Sequence, residues 1–249
     1  MRNCLIAPSL AALLLVVSCS SSPPPPPPLH PLEQNAMDAM AMNLPEQVDL
    51  ALAAALTHFE SLDDLEGQWR IRYQLVLASM KAGDTAKARM HLEVLQSLAQ
   101  QLDHADKHFA TLVQSGRVLE DITYYERAGR YAANDIDRAV VAAYAGNTAE
   151  AMNLITAATA AHAKDRAFVY YRHAQSVGTR SAFNDALAAY RDAGDSRGVA
   201  DALVSLARIE SGDGNVDAAM AYGARATRVL TAMGDAERAS SVRAWLESL

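Results

Sequence analysis

Short turns recur along this chain between alanine-rich segments, and they limit the folds that it can adopt. Each turn pairs a glycine with an aspartate or asparagine, at Gly83-Asp84, Gly146-Asn147, Gly194-Asp195, Gly214-Asn215 and Gly234-Asp235. Glycine accepts the left-handed conformation that ends one helix, and aspartate or asparagine can cap the next. Because the segments between the turns show no sustained strand alternation, the sequence predicts an all-α chain of helices joined by short turns.

Small side chains follow these turns at a fixed distance. An alanine lies five residues after each of three turn glycines, at Ala88, Ala151 and Ala219. In a helix this position shares a face with later small residues, and a small face lets a neighbouring helix approach closely. We therefore expect these alanines to be buried at helix crossings.

The pattern around residues 183–193 is more specific. Phe183, Ala186, Tyr190 and Ala193 resemble the aromatic and small positions in the second helix of a tetratricopeptide repeat. Turns taken at 83, 116, 146, 181 and 214 are spaced by 30 to 35 residues, close to the family period of about 34. In this assignment Gly116 and Ser181 mark the turns of their units.

The resemblance implies a domain of antiparallel helical hairpins over residues 45–249, stacked into a right-handed superhelix. Pro45 suits the first turn of a helix whose Val48, Leu52 and Phe59 share one face. Residues 236–249 are expected to form an amphipathic capping helix. The alternative is an alanine-rich helical bundle that closes on itself and has no ligand groove.

The N-terminus has the layout of an export signal. Arg2 precedes an apolar run from Leu5 to Val17, which is shorter than the roughly 20 residues that a membrane-spanning helix needs. Val16-Val17-Ser18-Cys19 resembles the bacterial lipobox, which implies removal of residues 1–18 and acylation of Cys19. An ordinary signal peptide cut nearby is the alternative, but Cys19 is the only cysteine outside the signal.

The resemblance to bacterial lipoproteins also implies a location. Ser20 follows Cys19 where inner-membrane retention would favour aspartate, so we expect an outer-membrane lipid anchor that faces the periplasm. Residues 19–44 begin with serines and a run of prolines at 23–28, and we expect them to form an extended tether. The formal net charge of −7 disfavours nucleic acid as a partner.

The sequence offers no catalytic motif that we can defend. His104 and His108 lie one helical turn apart, but their polar surroundings favour a solvated helix start over a metal site. Met37, Met40 and Met42 could bind Cu(I), although methionine more often fills apolar contacts. We therefore predict a protein that is not an enzyme and that has no cofactor and no metal. A metal-binding or enzymatic envelope lipoprotein remains the alternative.

The remaining prediction concerns partners. In tetratricopeptide repeats the first helix of each hairpin lines a concave groove, so the resemblance implies a protein partner bound there as a peptide or helix. Counting back from the turns places aromatic and cationic side chains near this groove, at Arg70, Tyr73, Lys81, Tyr144, Phe168, Arg172 and Arg208. The expected function is a periplasm-facing scaffold or adaptor in envelope assembly, such as recruitment of cell-wall enzymes or support of pilus, secretion or outer-membrane machinery.

Overall fold

The computed structural model describes residues 29–42, 45–158 and 162–249. The predicted signal peptide, Cys19 and the proline run lie outside the described residues. The described part of the chain contains helices and no strand, which confirms the all-α prediction. The helices are α1 (Pro31–Ala41), α2 (Pro45–Ser61), α3 (Leu65–Lys81), α4 (Thr85–Leu102), α5 (Ala105–Leu119), α6 (Thr123–Gly129), α7 (Asp135–Tyr144), α8 (Thr148–Ala157), α9 (Ala163–Val177), α10 (Arg180–Asp192), α11 (Ser196–Gly212), α12 (Val216–Ala232) and α13 (Ala236–Leu246).

These helices form six consecutive hairpins, from α1/α2 to α11/α12, and α13 closes the array. Throughout the described ranges, substantial helix contacts join neighbours in the chain or helices two apart, such as α3 with α5, α7 with α9 and α9 with α11. The apolar core is likewise a succession of clusters along the chain. This arrangement is a solenoid of helical hairpins, in which each unit packs mainly against the units beside it. The closed-bundle alternative is wrong.

The predicted turns have the expected geometry. Gly83 has φ 77° and the amide of Asp84 donates to the carbonyl of Ser79 at 2.9 Å, the hydrogen bond that closes many helix C-termini. The side chain of Asp84 then accepts from the amide of Lys87 at 2.9 Å and caps α4. Each of the five predicted turn glycines has positive φ. The three alanines that follow turns by five residues, Ala88, Ala151 and Ala219, are each 0% exposed, as expected.

Two turn positions were predicted wrongly. Gly116 lies inside α5 rather than after it, and a side chain there would place Cβ 2.5 Å from the ring of Tyr125. The turn of this hairpin falls at Glu120, which has φ 55°. Ser181 lies in the first turn of α10, and the left-handed residue of that hairpin is Gly178 with φ 67°. Close packing, rather than a turn, therefore accounts for the glycine at position 116.

The tether prediction is also wrong for part of its range. Residues 31–41 form α1, and Pro31 occupies its first turn, where the missing amide proton costs nothing. Ala36 and Ala39 are 1% and 7% exposed and pack in the cluster that contains Leu52. The apolar spacing of this segment is sufficient to bury one face against α2, so the helical array begins before Pro45.

Two junctions between hairpins repeat one arrangement. An aromatic ring near the end of one hairpin fills the space beside a glycine eight residues later, and a Cβ on that glycine would collide with the ring. The aspartate between them caps the next helix by accepting from the glycine amide, Asp64 at 2.9 Å and Asp195 at 3.0 Å. The ring and glycine pairs are Phe59 with Gly67 and Tyr190 with Gly198.

Candidate functional site

The predicted groove residues all lie on first helices of hairpins. Arg70, Tyr73 and Lys81 belong to α3, Tyr144 to α7, Phe168 and Arg172 to α9, and Arg208 to α11. Side-chain hydrogen bonds join several of these helices directly. Trp69 Nε1 on α3 donates to Thr111 Oγ1 on α5 at 3.1 Å, and Tyr171 and Ser205 link α9 to α11 through their hydroxyls at 3.3 Å. The first helices therefore form two contacting groups, α3 with α5 and α9 with α7 and α11, and α6 packs against both α5 and α7 between them.

One end of this surface is built by α3 and α5. The amide nitrogen of Gln114 donates to the Tyr73 hydroxyl at 2.9 Å, and Arg117 donates to Oε1 of Gln114 at 3.0 Å. The ring of Tyr73 stacks on Trp69 with centroids 5.4 Å apart. The hydrogen bonds and the stack fix the Tyr73 ring and hold the Arg117 guanidinium near its hydroxyl.

The middle of the surface is a run of aromatic ring contacts, in which Tyr125 is buried and Tyr144 and Phe168 are half-buried. Tyr144 lies between Tyr125 and Phe168, with ring centroids 5.0 Å and 4.4 Å away. Two hydrogen bonds hold the Arg172 side chain: its Nε donates to the carbonyl of Ala143 at 3.3 Å, and its Nη1 donates to Gln175 at 3.1 Å. We call Tyr73, Tyr125, Tyr144 and Phe168 the aromatic row.

The charges beside the row act on the tyrosine hydroxyls. Burial raises the pKa of Tyr73, Tyr125 and Tyr144, and the positive charge of Arg117 opposes this rise at each of them. The charge of Arg172 does the same at Tyr125 and Tyr144. All three hydroxyls therefore stay protonated at neutral pH, and they can donate or accept hydrogen bonds beside two guanidinium groups.

The other predicted residues lie apart from the row. Arg70 forms an ion pair at 3.0 Å with Glu33 of α1 and packs over the ring of Phe59, so it joins α1 to α3. Lys81 and Arg208 are exposed near the C-terminal ends of α3 and α11. The structure thus brings together Tyr73, Tyr144, Phe168 and Arg172 and places the other three elsewhere.

Sequence reasoning missed Gln114, Arg117 and Tyr125. Counting back from a turn at Gly116 instead of Glu120 shifts α5 by about one helical turn, which hides the residues that this helix contributes. Tyr125 lies on α6, a second helix, and reaches the row because Gly116 leaves room for its ring. A glycine in the middle of a helix, nine residues before an aromatic residue, is the signal that could have indicated this packing.

The histidines and methionines that were considered as metal ligands make ordinary structural contacts or are exposed. His104 is the N-cap residue of α5, which confirms the predicted helix start, and His108 stacks on Tyr131 and contacts Asp103 at 3.4 Å. Met40 packs against the α1/α2 core and Met42 is exposed. Within residues 29–42, 45–158 and 162–249, no group of three or more His, Cys, Asp or Glu is placed to hold a metal ion.

Of the helices that the structure describes, none combines the length and apolarity needed to cross a membrane. Neither the models of known protein families nor the curated protein sequences match this chain.

Proposed function

We propose that this protein is a scaffold that binds a segment of a partner protein along the aromatic row. The observation that carries the proposal is the run of ring contacts from Tyr125 on α6 through Tyr144 on α7 to Phe168 on α9. The positive charges of Arg117 and Arg172 act on the hydroxyls of Tyr125 and Tyr144. Aromatic rings with protonated hydroxyls supply contact area at low entropic cost, and guanidinium groups can bind backbone carbonyls or carboxylates of the partner. The partner segment that fits is extended or helical and contains apolar and acidic residues.

We also propose that the hairpins are tetratricopeptide-like. Support comes from turn glycines followed five residues later by fully buried alanines, and from five successive hairpins with left-handed residues at 83, 120, 146, 178 and 214. The spacings of 26 to 37 residues bracket the family period of about 34. Scaffolds of this kind present their first helices to partners, and Tyr73, Tyr144 and Phe168 of the aromatic row lie on first helices.

For the compartment, we propose a lipid-anchored protein of the bacterial envelope, held in the outer membrane and facing the periplasm. The support is the sequence Val16-Val17-Ser18-Cys19 after an apolar run. An anchored array presents its row at a fixed distance from the lipid surface, which suits a role in assembling envelope machinery. Recruitment of cell-wall enzymes and support of pilus, secretion or outer-membrane complexes are the processes in which such a scaffold would act.

Crosslinking tests the partner surface. Arg117→Glu and Arg172→Glu reverse the charges beside the aromatic row, and Arg228→Glu makes the same change at an exposed position of α12. In a crosslinking pull-down from envelope extracts, the first two variants should lose a specific partner and the control should keep it. Equal recovery by all three variants, with unchanged melting temperatures, would contradict the proposed surface. Recovery of no specific partner by the unaltered protein would contradict the scaffold function itself.

Fractionation tests the anchor separately. Cys19→Ser removes the thiol that acylation needs, so the variant should move from the membrane fraction to the soluble fraction, whereas Cys4→Ser should not. Retention of the Cys19→Ser variant in the membrane would rule out the lipobox and leave the partner surface untouched. Mass spectrometry of the mature N-terminus should show an acylated cysteine at position 19.

A further inference from the structure

A cavity with a volume of about 360 Å³ lies between α4, α5 and α6, in the size range of small-molecule sites, roughly 300–1,000 Å³. It lies beside α6, which has 7 residues and is the shortest second helix that the structure describes, since the others have 10 to 18. The short helix leaves part of α4 and α5 uncovered, and the segment after α6 forms the opposite wall. A departure from a repeat at one place in an array is where a functional site is expected.

The charge of this cavity is opposite to that of the chain. The chain has 29 acidic and 22 basic side chains, but the cavity is lined by Arg127 and Arg130 and by no aspartate or glutamate. Asp121 acts electrostatically on Arg127, and no hydrogen bond or ion pair joins the Arg130 guanidinium to another described residue. The cavity therefore has an excess of positive charge.

Aromatic rings line the cavity beside the two arginines. The Arg127 guanidinium lies over the ring of Tyr124, 5.2 Å from its centroid, and the ring of His108 stacks on Tyr131 at 4.8 Å. Gln96 and Gln100 from α4 line the same space, and the Gln96 amide donates to Ser115 Oγ at 2.9 Å. Two guanidinium groups recognise an oxyanion through paired hydrogen bonds, and flat rings beside them favour a planar group on the same ligand.

We propose that this cavity binds a small molecule that carries an oxyanion, a carboxylate or a phosphate, on a planar ring. Arg130 binds the oxyanion, Arg127 contributes the second guanidinium, and Tyr124 and Tyr131 contact the ring. The residues of this cavity are separate from the aromatic row, so the proposal is independent of the partner surface. A ligand here would bind α4, α5 and α6 together and stabilise the hairpin that departs most from the repeat.

Calorimetric titration of the purified full chain tests the proposal, with benzoate, phenyl phosphate, inorganic phosphate and phenol as probes. Benzoate or phenyl phosphate should bind with a Kd below about 1 mM, and whichever binds more tightly identifies the oxyanion. Inorganic phosphate lacks the ring and phenol lacks the oxyanion, so each should bind at least about tenfold more weakly.

Variants assign the binding to the cavity. Arg130→Ala should weaken binding by about tenfold or more, since a hydrogen bond to a charged group is lost, and Arg130→Lys should recover part of it. Arg225→Ala is the control, because it removes an arginine of α12 that does not line the cavity and lies over Tyr222 at 5.4 Å. Absence of binding by both ring-bearing oxyanions, equal binding of phenol, or equal weakening by Arg225→Ala would each overturn the proposal. Circular dichroism of each variant confirms the fold.

Discussion

The surroundings of a buried histidine on α4 disfavour its protonation. His91 on α4 is 6% exposed, and Arg72 donates to its Nδ1 at 3.3 Å. Because Arg72 can only donate, Nδ1 accepts and the ring proton lies on Nε2, which has no partner among the described residues. Burial lowers the pKa of His91, the charges of Arg72 and Lys87 lower it further, and Asp49 opposes them.

This environment predicts that His91 destabilises the fold in acid. The folded state has the lower pKa, so the unfolded state binds the proton first as the pH falls through the ordinary range of histidine near 6.5, and stability is lost below that pH. His91→Leu keeps the apolar contacts and removes the titrating group. Its melting temperature should exceed that of the unaltered protein by more at pH 5 than at pH 7.5.

Thermal melts monitored by circular dichroism measure this difference. His104→Leu is the control, because it makes the same change at an exposed histidine. A gap between His91→Leu and the unaltered protein that is the same at both pH values would show that His91 does not titrate differently in the folded state.

The ring and glycine junctions predict a second effect at single residues. Gly198→Ala places a Cβ against the ring of Tyr190, and we expect destabilisation of roughly 1–3 kcal/mol from overpacking. Gly212→Ala, in the same helix α11, meets no atom within 4 Å and should be neutral or stabilising by up to about 1 kcal/mol. Urea unfolding of the two variants gives the comparison, and similar free energies of unfolding would show that the ring moves aside without cost.

At the scale of elements, α1 depends on one charged contact with the rest of the array. Glu33 is 1% exposed and forms its ion pair with Arg70 on α3. Arg70→Ala leaves the Glu33 carboxylate buried without its partner, which costs roughly 1–3 kcal/mol. The loss should appear as local opening of α1, because the contacts of α1 are mainly with α2.

Hydrogen exchange can locate this opening. Amides in α1 should exchange faster in Arg70→Ala, whereas those in α9 to α12 should be unchanged. Lys87→Ala breaks a more exposed ion pair, that of Lys87 with Asp49 at 2.8 Å, and should have little effect because exposed pairs contribute at most about 1 kcal/mol. Slow exchange of α1 in the Arg70 variant would mean that apolar packing alone holds the helix.

Some helix ends could be predicted from the sequence and others could not. Glycine followed by aspartate or asparagine identifies a helix end because few other residues accept positive φ, so five turns and the alanines after them were predictable. Glu120 adopts the same conformation without glycine, and nothing local in the sequence marks it. Because this turn was placed at Gly116, the expected position of α5 was wrong, and Gln114 and Arg117 were not predicted as site residues. The cavity beside α6 could not be predicted either, because the sequence does not indicate how short α6 is.

At the scale of the whole molecule, a solenoid transmits a disturbance differently from a closed core. Each hairpin is stabilised by its own packing and by the contacts with its neighbours, so damage at one end should remain near that end. Leu246 of α13 is 7% exposed and packs over Gly223 of α12, and Leu52 of α2 is 0% exposed in the cluster shared by α1, α2 and α3. These two leucines therefore test the two ends of the array.

Reciprocal substitutions provide the measurement. Leu246→Ala and Leu52→Ala should each cost roughly 2–5 kcal/mol in their own region. Under native conditions, Leu246→Ala should speed amide exchange in α11 to α13 and leave α1 to α3 protected, and Leu52→Ala should give the opposite pattern. Uniform loss of protection in both variants would show that the array unfolds as one cooperative unit, with strong coupling between hairpins. A confined response would mean that a partner bound along the aromatic row, which spans the hairpins from α3 to α9, couples units that are otherwise nearly independent.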